Sequence, residues 1–222
     1  MKRLLVAALA ACLCAFAPAL NAQEGQPLNQ LTPQEKELGF ELLFDGGPLS
    51  PEIWQSSIEG YPVKDGYFVC DKGGNLMTKK AYSDFILRFE FKLPPKGNNG
   101  VGIRATSPNL DAAYHGMELQ IIDEAYPGLK DAQYHGSIYG VVAAKRGALK
   151  PVGEWNYEEV IAIGPYIKVI VNGQLITDAD ITNAQPIWGD HPGLHNKSGF
   201  VGFLGHGDPV EFRNVRILSL EK

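Results

Sequence analysis

From position 40 onward, hydrophobic side chains recur at every second residue. In 85–93, Phe85, Leu87, Phe89, Phe91 and Leu93 alternate with Arg88, Glu90 and Lys92. A strand turns successive side chains to opposite faces, so this spacing predicts a half-buried strand. Segments of the same kind occupy 40–44, 66–70, 101–107, 115–124, 137–144, 157–163, 167–171, 174–178, 200–206 and 210–218. Turn chemistry separates them: Asp45-Gly46-Gly47, Asp71-Lys72-Gly73-Gly74-Asn75, and the Pro94–Gly100 run. Asn172-Gly173 is a type I′ hairpin signal, since both central residues of that turn need positive φ.

Only 31–39 reads as a helix. Thr32 caps it, Pro33 suits the first helical position, Glu35 completes a capping box and Gly39 ends it. Many short strands with one apolar and one polar face predict an all-β fold of antiparallel sheets. A two-sheet sandwich fits best, with an all-β barrel as the alternative. No linker interrupts the pattern, so 31–222 is expected to form one domain after a flexible lead at 23–30.

The stretch 114–124 is where that pattern and chemistry meet. Met117, Leu119 and Ile121 share one face of a strand, and Glu118 and Gln120 share the other. Asp123 breaks the parity. A bulge after Gln120 would return it to the polar face, and bulges often re-aim side chains beside active sites. In the preceding strand Val101 and Ile103 face the core, which puts Arg104 on the opposite side. If the two strands are neighbours, Arg104 stands beside Glu118 and Gln120, where a guanidinium holds a carboxylate ionised and polarises a substrate oxygen.

Further candidates lie in loops. His135 sits at a strand entrance and titrates near neutral pH, and Tyr139 follows on the same segment. His206 lies between two glycines that permit close approach of a ligand. Trp155 and Trp188 are candidate platforms for a sugar ring, with core or rim packing the competing role. Lys145 is a minor candidate for contact with an anionic group. His191 and His195 have ligand spacing only on a helix, and Pro192 and Gly193 argue against one, so no metal ligands are assigned.

Composition narrows the class. Lys2 and Arg3 precede an apolar run, 4–20, that ends near Asn21-Ala22, the layout of a secretory signal over 1–22. The expectation is export to the periplasm or cell surface. Leu9-Ala10-Ala11-Cys12 makes a lipid anchor the lesser reading. Pro18 interrupts the run and leaves it marginal for a membrane span. Loss of Lys2 and Arg3 takes the net charge from −5 to −7, a poor basis for binding nucleic acid or anionic membrane. Cys12 and Cys14 leave with the leader, so Cys70 stands alone and the fold must rest on its core. There is no Gly-rich phosphate loop, Gly-x-Ser-x-Gly elbow, HExxH or paired cysteine, which sets aside phosphoryl transfer, serine hydrolysis and zinc proteolysis.

Six motifs in order carry a resemblance: Gly39-Phe40-Glu41-Leu42-Leu43-Phe44-Asp45-Gly46, Asn98-Asn99-Gly100-Val101-Gly102-Ile103-Arg104, Met117-Glu118-Leu119-Gln120-Ile121-Ile122-Asp123, Gly136-Ser137-Ile138-Tyr139-Gly140, Gly153-Glu154-Trp155-Asn156 and Phe212-Arg213-Asn214-Val215-Arg216-Ile217. Together they resemble the secreted family named for 3-keto-disaccharide hydrolase, 3-keto-glucoside 1,2-lyase and 3-keto-2-hydroxyglucal hydratase activities, over about 31–220. The resemblance implies a concanavalin A-like jelly roll, related in shape to laminarinase-type glycosidases. Those carry Glu-x-Asp-x-x-Glu, whereas this chain has Gln120 in place of the middle acid and Asp123 in place of the last.

The family chemistry implies proton abstraction at C2 of a 3-keto sugar, elimination at C1, and water addition to the resulting glucal. On that footing Glu118 and His135 serve as base and acid, and Arg104 and Tyr139 serve the enolate oxygen. Gln120, Asp123 and His206 position hydroxyls or a metal; a divalent cation in place of Arg104 is the alternative electrophile. A non-catalytic carbohydrate-binding module and a laminarinase-type endo-glucanase are the competing readings.

Overall fold

The computed structural model describes residues 27–221; the predicted leader at 1–22 lies outside them. The strands are β1 (Glu41–Leu42), β2 (Trp54–Ser56), β3 (Val63–Lys64), β4 (Tyr67–Val69), β5 (Gly74–Tyr82), β6 (Phe85–Lys92), β7 (Asn98–Ala105), β8 (Met117–Ile122), β9 (Trp155–Ile163), β10 (Tyr166–Val171), β11 (Gln174–Asp180), β12 (Gly199–Gly205) and β13 (Glu211–Ser219). Among the described residues two short α-helices accompany them, α1 (Pro33–Leu38) and α2 (Ala112–His115).

The strands form two antiparallel sheets. One runs β11-β10-β9-β6-β13-β4-β3, with β1 also on β13; the other runs β2-β5-β12-β7-β8. This is the expected concanavalin A-like sandwich. Between the sheets, Phe89, Phe203 and Phe212 meet at ring-centroid distances of 4.2 to 6.3 Å, joined by Phe68, Val101, Leu119 and Ile217. Cys70 is a free, buried member of the same core. Burying such side chains is the main stabilising contribution, roughly 1.5–3 kcal/mol each.

Helix α1 forms as its caps predict. Thr32 Oγ1 accepts from Glu35 N at 3.1 Å, and Glu35 Oε2 accepts from Thr32 N at 3.0 Å. Glu35 also receives Arg216 Nε at 2.6 Å, and Arg88 Nη1 lies 3.3 Å away. These bonds fix the helix to the outer face of the larger sheet. The lead ahead of it is less free than expected: Asn29 is buried, donates to Gly66 O at 2.7 Å and accepts from Asn214 N at 2.8 Å.

Three local expectations are corrected. Segment 137–144 is not a strand; it runs beside β8 with only isolated bridges, Leu119 to Ile138 and Ile138 to Val142. β5 is a strand that the pattern does not mark, because its glycine-rich start reads as a turn and Lys79 and Lys80 interrupt its apolar face. The bulge falls on β7 instead of β8. β8 pairs with β7 in unbroken register from Met117 to Ile122. Opposite β12, by contrast, Gly102 to Ala105 spans one residue more than Gly202 to Phe200. Arg104 lies in this bulge with φ +52°.

Candidate active site

The smaller sheet turns its second face away from the core, and there β8 presents Glu118 and Gln120. Their neighbours across the sheet on that face are small: Gly100 and Gly102 on β7, and Gly202 on β12. Helix α2, capped by Asp111 Oδ1 accepting from Ala113 N at 3.1 Å, packs over the same face through Ala112. The result is an open cavity of about 190 Å³ lined by Asn75, Asn98, Asp111, Ala113, Tyr114, Glu118, Gln120, Tyr139, Leu204, Gly205 and His206. No lysine or arginine is among them.

Glu118 is the most perturbed group in the cavity. It is 4% exposed and its Oε1 has no hydrogen-bond partner. Burial, helped by the nearby Asp111 carboxylate, pushes its pKa up to about 8. Gln120 is equally buried. Its Nε2 donates to Asn98 Oδ1 at 3.0 Å, which leaves Gln120 Oε1 without a donor. Two buried, unpartnered oxygens therefore border one cavity, and buried acceptors of this kind call for donors from a ligand or water.

Two phenols and an imidazole complete the wall. Tyr139 is held by Gln133 Nε2, which donates to its hydroxyl at 3.0 Å, and by the Trp188 ring 6.0 Å away. Burial raises the Tyr114 pKa, and Tyr139, Asp111 and Glu118 add to the effect. His206 stands at the mouth, where desolvation by the wall, partly offset by Asp208, lowers its pKa. Among the described residues no three His, Cys, Asp or Glu side chains converge as metal ligands.

Of the residues expected at the site, Glu118, Gln120, Tyr139 and His206 are brought together. Trp188 supports Tyr139 from behind, and Lys130 Nζ covers its ring at 5.0 Å from the centroid. The others are elsewhere. His135 is in the core, stacked on Phe91 at 5.0 Å with Nε2 3.1 Å from Glu158 Oε2. Arg104 is turned aside by its bulge and donates to Ser83 O at 3.0 and 2.9 Å and to Gly164 O at 2.8 Å.

Asp123 caps the neighbouring turns, accepting from Lys96 N at 2.8 Å and Ala125 N at 3.0 Å. Trp155 belongs to β9 of the other sheet, where Arg213 covers its face at 3.9 Å, so it offers no free platform. Lys145 is exposed away from the cavity. Asn75, Asn98, Asp111 and Tyr114 join the site without a signal in the sequence pattern. Asn98 reads as part of a turn, and Asp111 caps, and Tyr114 lies on, a helix too short for periodicity to reveal.

Residues 39–218 match the family model described as the 3-keto-alpha-glucoside-1,2-lyase-like domain. A 3-keto-disaccharide hydrolase of Bacteroides thetaiotaomicron is 26% identical over 185 residues, covering 67% of this chain and 63% of that protein. The chain thus spans less than two thirds of that relative's length. Two crystal structures from Parabacteroides distasonis ATCC 8503, both provisionally named glycosyl hydrolases, are similar in fold. One has a TM-score of 0.77 at 24% identity and covers 88% of this chain and 100% of its own. The other has a TM-score of 0.72 at 29% identity, with coverages of 82% and 99%.

Proposed function

The chain belongs to the 3-keto-alpha-glucoside-1,2-lyase-like domain family, and on that premise we propose that it cleaves 3-keto-glycosides with Glu118 as the base. The observation that carries this reading is the buried Glu118 carboxyl, whose Oε1 has no partner and borders the cavity. A base for a carbon acid works best with a pKa near the working pH, and burial supplies that here.

In this scheme Glu118 takes the proton from C2, and the C2–H electrons move toward the C3 carbonyl to give an enolate. Tyr139 and the Asn98 amide donate to that oxygen, the role expected of Arg104, whose guanidinium is engaged at Ser83 and Gly164 instead. Collapse of the enolate breaks the C1–O bond, and the proton that Glu118 took from C2 passes to the departing oxygen, with neutral His206 at the mouth placed to hydrogen-bond it. Addition of water across the 2-hydroxyglucal returns a proton to C2 and places a hydroxyl on C1, completing a net hydrolysis. Export follows from the leader pattern and belongs to the same proposal.

Direct displacement at C1 is less well served. It needs two carboxyls at a set separation; Asp123, just past β8, is occupied with Lys96 N and Ala125 N, and Asp111, the other carboxylate of the cavity, is engaged as the α2 cap by Ala113 N. A chromogenic 3-keto-glucoside beside its unoxidised parent separates the two routes. Release from the ketone alone, with solvent deuterium entering C2, is expected. Release from the parent at a comparable rate overturns the reading.

A further inference from the structure

Tyr139 reaches the cavity with its accepting side already used. Gln133 Nε2 donates to its hydroxyl oxygen at 3.0 Å. The Gln133 amide is itself committed, because Oε1 accepts the Lys130 backbone N–H at 3.0 Å and Gln133 N donates to Lys130 O at 2.9 Å. With Oε1 bound to a donor, only the NH₂ end can face Tyr139. A phenol has one proton to give, and no hydrogen bond from the Tyr139 hydroxyl to an acceptor is present among the described residues. The ring is also confined, since Trp188 packs against both Tyr139 and Gly140.

We propose that Gln133 is a positioning residue that makes Tyr139 a dedicated donor toward the substrate's ketone oxygen, acting only through Tyr139. The inference rests on the ketone reading above and assigns the orientation that reading needs. The cavity wall holds no Lys or Arg, so charge developing on the ketone oxygen falls to donors such as the Tyr139 hydroxyl. Such donors help most when they are fixed before the reaction begins. Without Gln133, the phenol proton would be free to turn toward the Glu118 carboxylate or solvent.

Gln133→Glu is the sharpest test. The glutamate is nearly isosteric, and one of its oxygens can still receive Lys130 N–H, so the turn keeps its bond. Its other oxygen faces Tyr139 as an acceptor and draws the phenol proton away from the cavity. The expected result on a 3-keto-glucoside is a fall in kcat of about tenfold or more, with KM changed by less than about threefold. Tyr139→Phe should lose a similar amount, and the double variant no more than Tyr139→Phe alone. The tyrosine Raman doublet, isolated by subtracting the Tyr139→Phe spectrum, should move from an accepting toward a donating phenol in Gln133→Glu. Independent, additive losses in the double variant, or an unmoved doublet, overturn the proposal. If the wild-type protein does not turn over the ketone, the functional reading fails, and the Raman comparison alone decides the Gln133–Tyr139 assignment.

Discussion

Gly100 and Glu118 are fitted to each other: a Cβ on Gly100 would stand 2.7 Å from both Cγ and Cδ of Glu118. The carboxyl therefore lies against bare backbone of β7, and the absence of a side chain there sets its position. Gly100→Ala is expected to push Glu118 off its place. Misplacement of a catalytic group by about 1 Å costs on the order of 10²-fold in rate. The overpacking itself should cost about 1–3 kcal/mol. Steady-state kinetics alongside thermal unfolding checks this; near-normal turnover in a folded variant would show that Glu118 placement is not what Gly100 secures.

A base with a pKa near 8 leaves a signature in the free enzyme. Glu118 must be ionised to accept a proton, so kcat/KM should rise with pH along a limb centred near 8. Glu118→Gln should abolish most turnover while leaving far-UV circular dichroism unchanged. A rising limb near the ordinary carboxylate value of 4.5 would mean that solvent entering the open cavity relieves the burial in the free enzyme.

Much of the fold was legible because it rests on period. The alternation in 85–93 and the cap residues of α1 act locally, and both appear where the sequence puts them. The site was legible only in part, for reasons that are equally physical. Parity turns Glu118 and Gln120 from the core, and both border the cavity on that face, although they are buried there. It failed at Arg104 because a single left-handed residue in a bulge redirects the side chain, and alternation carries no mark of that. His135 sits at a strand entrance in the sequence pattern, which carries no mark of the Phe91 ring and Glu158 carboxyl that enclose it. Asp111 and Asn75 come from distant segments, and only the sheet order brings them to one cavity.

His135 and Glu158 pair inside the sandwich, with exposures of only 2% and 0%. Ile122 N donates to His135 Nδ1 at 3.4 Å, which leaves Nε2 as the proton-bearing nitrogen facing the carboxylate. Removing either partner strands the other in an apolar core, and breaking such a buried pair typically costs about 3–5 kcal/mol. His135→Ala is thus expected to lower the unfolding midpoint sharply, with any loss of activity following loss of folded protein. A stable His135→Ala protein without turnover would return His135 to the chemistry.

Arg104 should behave as a brace. Its guanidinium ties β7 to the backbone at Ser83 and Gly164, and buried hydrogen bonds from a charged group contribute about 1.5–3 kcal/mol each. Arg104→Met should destabilise the protein in denaturant titration while the folded fraction keeps its kcat. A selective loss of kcat at full stability would place the guanidinium in the reaction after all.

Glu118 also ties stability to pH, and the sign follows from the direction of its shift. Its folded pKa, about 8, lies above the ordinary value of 4.5. Below 4.5 the carboxyl is neutral in both states and has no effect. As pH rises from 4.5 to 8 the unfolded chain ionises while the folded protein holds its proton, so folding is progressively disfavoured. Above 8 both states are ionised and the penalty levels off, at an order of magnitude of 5 kcal/mol by the usual conversion of pKa to free energy. Glu118→Gln removes the titration while keeping the shape. The variant should therefore match wild type in stability near pH 4.5 and exceed it increasingly toward pH 8. Denaturant melts of both proteins across that range provide the check, and a difference that stays constant with pH would mean that Glu118 is better solvated than its burial implies.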